Sequence, residues 1–281
     1  MKSNYILGAA WAIIALLLLG LLVKGMKKDS IGKELLNTKI FSFGHDDENW
    51  GDWTDGREYD SRDIEEIVTD LQSISLVIGE ANDNKIAVAF EGDAEEYCTI
   101  SNNNGKLMVQ QKKSFNGFSG PARQLVKIAI PADFDGKLNI NCTSGSIKIN
   151  GLKLEEAQVN AVSGSVKISD CEIDDLDCQT VSGSIKLEGD FGQIKAAAVS
   201  GSISLENGTA LSKNSSFDSV SGSISLDLPK DSDYELHYST TSGSFKDAIA
   251  NKTGKRSGVS RNGNGSVQIS VSTMSGSIKV Q

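Results

Sequence analysis

The chain has 281 residues, with 28 Lys and Arg against 37 Asp and Glu and a formal net charge of −9. That acidic balance argues against nucleic-acid binding, which draws on a surplus of cations. Aromatic residues make up only 6 %, and helix-forming stretches are sparse after the first 36 residues, so the chain reads as β-rich and long enough for one extended domain or two small ones.

Residues Ile6–Val23 are 18 uncharged, almost wholly apolar positions. As a helix they span ~27 Å, close to the ~30 Å bilayer core. The run exceeds the ~7–15 residues of a signal-peptide core, and no Ala-x-Ala-like site follows Leu21-Leu22-Val23. Residues 1–28 are therefore expected to form a retained single-pass N-terminal transmembrane helix in the cell membrane. Lys24, Lys27 and Lys28 outnumber Lys2, which by charge alone favours a cytoplasmic C-terminal side. Long domains translocate largely regardless of such charges, and an extended β-repeat tethered to a membrane suits export. The C-terminal domain is expected to be extracellular.

Residues 29–63 read as a polar acidic linker. Its stretch His45–Gly56 mixes carboxylates with Trp50 and Trp53 but lacks the D-x-[DN]-x-[DN]-G order of a calcium loop, so a spacer is expected. Residues 64–132 read as a β-rich entry or cap region. Strands are expected at Ile74–Ile78, Ile86–Phe90, Thr99-Ile100, Leu107–Val109 and Val126–Ile130, with a Gly/Ser-rich loop over Ser114–Gln124. Such a region would cover the first coil of a repeat array.

Residues 133–281 repeat one phrase, Ser-Gly-Ser followed by an apolar residue, seven times. Its glycines are Gly145, Gly164, Gly183, Gly201, Gly222, Gly243 and Gly276, at intervals of 19, 19, 18, 21, 21 and 33. A nearly fixed period of this size marks stacked coils. Seven, five and three residues before each glycine stand apolar or small residues, such as Leu176, Cys178 and Thr180. Two and four residues after it stand pairs such as Ile185 and Leu187. This is the period of two of a strand with one buried face, switching parity at each corner. Apolar residues about ten before the glycine, Leu154, Ile173 and Phe191, suggest a third short side. The fold class is all-β: a parallel β-solenoid-like strand repeat of about 19–21 residues per coil. An antiparallel meander is the alternative. Glycine would relieve the bend at each corner, and the serines would bond nearby backbone.

Outward positions are regular too. Lys148, Lys167 and Lys186, then Ser204 and Ser225, then Lys246 and Lys279 form one column, and Glu188, Glu206 and Asp227 another. The lysines could contact a polyanion or partner, or simply keep a solvated face from pairing with other sheets. The long last interval implies an insertion at 251–265, where Lys252, Lys255, Arg256 and Arg261 occur without an acid. It reads as an exposed loop able to touch an anionic polymer or lipid head groups. The strand ending at Gln281 would leave an open sheet edge.

No catalytic centre, cofactor or metal site is expected. His45 and His237 lie outside any H-E-x-x-H or Cys-paired motif, and no Gly-x-Ser-x-Gly elbow occurs. Cys98, Cys142, Cys171 and Cys178 lack zinc spacing; Cys142 and Cys178 fall on inward positions, where a bridge between them is conceivable. A uniform carboxylate ladder does not supply the two distinct roles that glycan hydrolysis needs, so a glycan-active β-helix is the weakest reading.

The repeated V-S-G-S-[IV] phrase, the strand Val126–Pro131 and the apolar N-terminal run together resemble the DUF4097 "putative adhesin" family, over roughly residues 64–281. The resemblance implies a bacterial cell-envelope protein, similar to the membrane-anchored accessory proteins found beside envelope-stress systems, with no known catalytic residues. The expected function is a non-enzymatic, membrane-anchored scaffold or adhesin-like binding module contacting an envelope polymer or membrane protein. The competing expectation is a regulator of a membrane sensor or transporter.

Overall fold

A computed structural model of the chain describes residues 57–81, 83–112 and 124–281. The expected membrane helix, most of the linker and most of the Ser114–Gln124 loop lie outside the described residues. Those described are almost wholly β, with one 3-10 turn, Ser61–Asp63, and one helical turn, Ala94–Tyr97.

The strands are, in chain order, β1 (Arg57–Asp60), β2 (Glu66–Leu71), β3 (Ser75–Glu80), β4 (Lys85–Glu91), β5 (Cys98–Asn103), β6 (Lys106–Gln111) and β7 (Leu125–Ile130). The repeats follow as β8 (Lys137–Cys142), β9 (Ile147–Asn150), β10 (Lys153–Ala161), β11 (Val166–Ser182), β12 (Ile185–Ser200), β13 (Ile203–Asn207), β14 (Ser215–Ser221) and β15 (Ile224–Asp227). The last are β16 (Tyr234–Ser242), β17 (Phe245–Asp247), β18 (Lys252–Gly254), β19 (Ser257–Asn262), β20 (Val267–Ser275) and β21 (Ile278–Val280). Strand structure is thus already present at Arg57, ahead of the residue-64 boundary expected from the sequence, because β1 pairs antiparallel with β4.

Parallel pairing with matched phase stacks the repeats. Ala157 partners Leu138 and Leu176, and Leu176 partners Ile194. Ile147, Val166, Ile185, Ile203 and Ile224 partner one another in turn on the next side. The third side is real: Leu154 partners Ile173, and Ile173 partners Phe191, all buried. This is the solenoid, not the meander. Every inward position read from the sequence is buried, including Ser215, Ser219 and Thr273. The core is apolar along all three sides, and each buried Ile or Leu contributes about 1.5–3 kcal/mol. Bulk alternates between layers: Phe217 stacks beside Ala196.

The layers are not stacked in chain order at either end. Seven carry Ser-Gly-Ser corners, and β2–β3 and β6–β7 add two more, making nine. At the N-terminal end the chain lays down the second layer (β2, β3), caps the end with β4 and β5, fills the first layer (β6, β7), then skips to the third. At the C-terminal end the order is reversed. From the seventh layer (β14, β15) the chain skips to the ninth (β16, β17), caps it with β18 and β19, and returns to fill the eighth with β20 and β21. Each outermost parallel layer is thereby covered by antiparallel strands.

Three expectations need correction here. The open edge expected at Gln281 is absent: β20 and β21 are paired on both sides, Gln281 N–H donates to the Leu226 carbonyl, and Leu228 N–H donates to the Gln281 carbonyl. The 251–265 insertion is exposed as expected but is not a loop; it supplies the cap strands β18 and β19, which satisfy the polar edge of the last parallel layer. The third concerns the glycines. None of the seven corner glycines has a positive φ. What requires glycine is the approach of neighbouring layers: a Cβ on Gly183 would lie 2.1 Å from the Gly164 carbonyl oxygen, and the same clash recurs at the other six.

The corner ridge has its own bonding. The inward hydroxyl three residues before the glycine donates to the glycine carbonyl of the adjacent layer: Thr180 to Gly164 (3.5 Å), Ser219 to Gly201 (3.2 Å), Thr273 to Gly222 (2.9 Å) and Thr240 to Gly276 (3.1 Å). The serine hydroxyls bond across layers only locally, as where Ser277 N–H donates to Ser223 Oγ. At the second layer, where Gln72-Ser73-Ile74 replaces the motif, the buried Gln111 amide oxygen accepts from Gln72 N–H and Ser73 N–H.

Candidate functional site

Alternation along the second side of each coil sends one residue per layer outward. In stacking order this column reads Lys127, Val77, Lys148, Lys167, Lys186, Ser204, Ser225, Lys279, Lys246 and Thr253. It holds two basic blocks separated by two serines.

The first block contains Lys148, Lys167 and Lys186, which the sequence singled out, and they are in register as expected. Its cations are engaged by the fold: Lys148 and Lys167 are half-buried, Lys186 pairs with Glu188, and Lys127 with Glu91 at 3.2 Å.

The second block lies at the C-terminal cap. Lys279 and Lys246 are 33 residues apart but are partners in adjacent layers, both exposed. Their copies are consecutive in the chain, and the reversed threading sets only their order, with Lys246 outermost. Across from Lys246 stands Thr253 of β18, and Lys255 and Arg256 form the turn into β19. None of Lys246, Lys279, Lys255 and Arg256 makes an ion pair among the described residues. Like charges opposite each other on a sheet repel, so an anion at this patch would relieve a built-in cost.

Two of the four residues expected in the basic loop are spent otherwise. Arg261 pairs with Glu235, whose other oxygen contacts His237 Nε2 at 2.9 Å. Lys252 donates from Nζ to the Val259 carbonyl, which occupies an acceptor on the free edge of β19.

The cap that carries the patch is tied together by buried bonds. Asp247 is 1 % exposed and accepts from the Tyr234 hydroxyl (2.9 Å), the Ser260 hydroxyl (2.7 Å) and Ala250 N–H (2.9 Å). Burial, with the Asp247 carboxylate next in size, pushes the Tyr234 phenol well above its usual range. Tyr238 and Phe245 stack with centroids 3.7 Å apart and planes 2° from parallel. Gly254 and Gly258 leave the space that the Tyr238 hydroxyl fills. Arg256 holds a left-handed φ of 67°, and its carbonyl accepts from Thr240 N–H.

Elsewhere, Glu188, Glu206 and Asp227 stack as neighbours in a uniform ladder. Among the described residues no group of three or more His, Cys, Asp or Glu is arranged to hold a metal. The four cysteines are free thiols, so no Cys142–Cys178 bridge forms. Lys246 and Lys279 could be placed in one column from the sequence; the reversed order of their layers could not, and the 33-residue interval was its signal.

The model of the Toastrack family, DUF4097, matches residues 64–190 and again residues 135–281. The chain belongs to the Toastrack family. Three solved structures resemble this Toastrack chain, each covering 80 % of it. A "putative adhesin" from Bacteroides fragilis shares 14 % identity over 96 % of its own chain, with a TM-score of 0.48. A "putative lipid binding protein" from Parabacteroides distasonis shares 17 % identity over 96 % of its chain, with a TM-score of 0.41. A "putative cell adhesion protein" from Clostridium sporogenes shares 13 % identity over 98 % of its chain, with a TM-score of 0.37. No curated protein matches the Toastrack chain.

Proposed function

We propose that the chain is a non-enzymatic, membrane-anchored cell-envelope protein whose solenoid is an adhesin-like binding module, with the C-terminal cap contacting an anionic envelope polymer or head group. The observation that carries this reading is the pairing of Lys246 with Lys279, beside Lys255 and Arg256, without a neutralising acid. On a chain of net charge −9 such a patch is electrostatically set apart. Support for the anchor is the apolar run Ile6–Val23, and the extracellular placement of the repeats rests on that anchor. The names of the similar structures agree with a binding module.

The test is binding of the detergent-solubilised full chain to heparin, used as a generic polyanion. Reversal of charge at Lys246, Lys279, Lys255 and Arg256 should abolish retention at ~0.15 M salt. Reversal at Lys127 and Lys186, whose charges are already paired, should leave most of it. Equal loss from both sets would remove the assignment to the cap. Sidedness is tested separately, with a membrane-impermeant maleimide and a cysteine at Ser257: labelling only after cell lysis would overturn the extracellular placement.

A further inference from the structure

A second surface lies at the N-terminal end of the solenoid, opposite the basic cap. Among the described residues four strands have a single partner strand: β1, β5, β18 and β19. Three of these edges are guarded. In β1, Arg57, Glu58 and Asp60 form ion pairs with Glu95, Lys85 and Arg62. β18 starts at Lys252, whose Nζ donates to the Val259 carbonyl of β19, and β19 itself carries Arg261. Charges and occupied acceptors keep an edge from adding strands. β5 has none of these devices. Its residues, Cys98-Thr99-Ile100-Ser101-Asn102-Asn103, include no charge and no proline, and its register with β6 runs without a bulge.

The ladder fixes which backbone groups of β5 stay open. Lys112 N–H donates to the Tyr97 carbonyl at 2.8 Å, so these two residues are a hydrogen-bonded pair. Antiparallel pairing alternates. Thr99, Ser101 and Asn103 therefore spend their N–H and C=O groups on β6, and Cys98, Ile100 and Asn102 turn theirs to the free edge. No hydrogen bond reaches those edge groups among the described residues. The side chains of Cys98 and Ile100 pack against the core, which keeps the open edge in line with the first side of the coils.

We propose that β5 is the docking edge for β5 of a second copy of this chain, paired antiparallel about a two-fold axis at Ile100. A two-fold interface needs a surface that is its own complement, and this edge meets that demand position by position. Ile100 faces its counterpart, Cys98 faces Asn102, and Thr99 faces Ser101. Edge-facing residues thus meet edge-facing residues, and about six backbone hydrogen bonds close between the copies. The Ile100 pair and the Thr99–Ser101 pairs are cross-strand combinations that stabilise a sheet. No like charges are opposed: Glu95 and Glu96, just before β5, fall opposite the uncharged Gly105 and Asn104 that follow it. The pairing leaves the basic cap, at the other end of each solenoid, free on both copies.

The test is disulfide crosslinking of the full chain, in membranes and in detergent, on a background with the native cysteines replaced. In the proposed pair residue 100 lies ~5.5 Å from its counterpart, within reach of a disulfide, and residue 103 lies ~20 Å from its own. Ile100→Cys should therefore give a covalent dimer on oxidation, and Asn103→Cys should not. Asn102→Pro removes an N–H that faces the free edge and leaves the bonds to β6 intact. Circular dichroism should show its strand signal retained, while the Ile100→Cys crosslink falls about tenfold or more. Equal crosslinking at residues 100 and 103, none at either, or a crosslink that survives Asn102→Pro in the folded chain would overturn the proposal. A crosslink from Ile100→Cys to a different protein, without a dimer, would give the edge to a foreign strand and overturn it equally.

Discussion

Thr273 donates its hydroxyl to the Gly222 carbonyl 2.9 Å away, although 51 residues separate them in the chain. The next copy in sequence supplies Thr240, whose hydroxyl donates to the Gly276 carbonyl instead. The two bonds record the inverted stacking of the last two coils. They also explain why the inward corner position holds small hydroxylated residues in four copies. Thr273→Val keeps the shape and removes the donor, so unfolding in urea should show a loss of about 1–2 kcal/mol. Thr180→Val should cost less, because its bond to Gly164 is already long at 3.5 Å. Equal losses would show that the hydroxyl acts through something other than this bond.

The corner glycines give a second ordering. Gly183→Ala drives a Cβ to 2.1 Å from a backbone carbonyl of the layer below, which cannot move without shifting a ladder. It should cost at least about 3 kcal/mol. Gly151 has a φ of 69° but open space around it, with the nearest atom 3.8 Å from a built Cβ. Gly151→Ala should therefore cost only the left-handed strain, about 1–2 kcal/mol. Thermal unfolding of the two variants separates the explanations: if Gly151→Ala is the worse, local bending and not layer approach governs the corner.

Stacking order can be read by crosslinking. Ser221 and Ser275 are partners in adjacent layers, as are Ser242 and Ser275. Ser221 and Ser242 are then two layers apart, ~9–10 Å, beyond the ~7 Å reach of a disulfide. In a background with the native cysteines replaced, Ser221→Cys with Ser275→Cys should oxidise readily, and Ser221→Cys with Ser242→Cys should not. The reverse result would mean that the coils stack in chain order.

The inward residues of all seven copies could be read from the sequence, because burial imposes a period of two that each copy repeats. Layer order could not, for the same reason: when every coil presents the same interface, Ser221 is as compatible with Ser242 as with Ser275. The coil formed by β2 and β3 was missed because Gln72-Ser73-Ile74 lacks the motif, its corner being completed by the Gln111 side chain. Lys246 and Lys279 would be neighbours in either order of the last two coils; the inversion decides only that Lys246 is outermost, beside β18.

Asp218 makes a prediction with a defined sign. Its folded carboxyl titrates at about 6 against 3.8 when free, through burial. The folded state therefore holds the proton more tightly, so this group's contribution to stability is greatest below pH ~4 and is lost as pH rises through about 6. Asp218→Asn should stabilise the protein at pH 7.5 and give no gain at pH 4. Urea midpoints at both values decide it, and a gain independent of pH would show that the charge is not the source.

The buried thiols set an alkaline limit by the same reasoning. Burial raises Cys142 from 9.0 to about 12 and Cys171 to about 11, and it raises Cys178 as well. The unfolded chain releases these protons from pH ~9 upward while the folded chain keeps them. Their stabilising effect is complete below pH 9 and declines above it, by about 1.4 kcal/mol per pH unit for each thiol still protonated in the fold. Lysines and tyrosines titrate in the same range, so the comparison is with Cys142→Ala, a residue that the corner position already tolerates in the copies with Ala161 and Ala198. Between pH 8 and 10.5 the native chain should lose more stability than the variant. Parallel declines would place the alkaline sensitivity in groups other than this thiol.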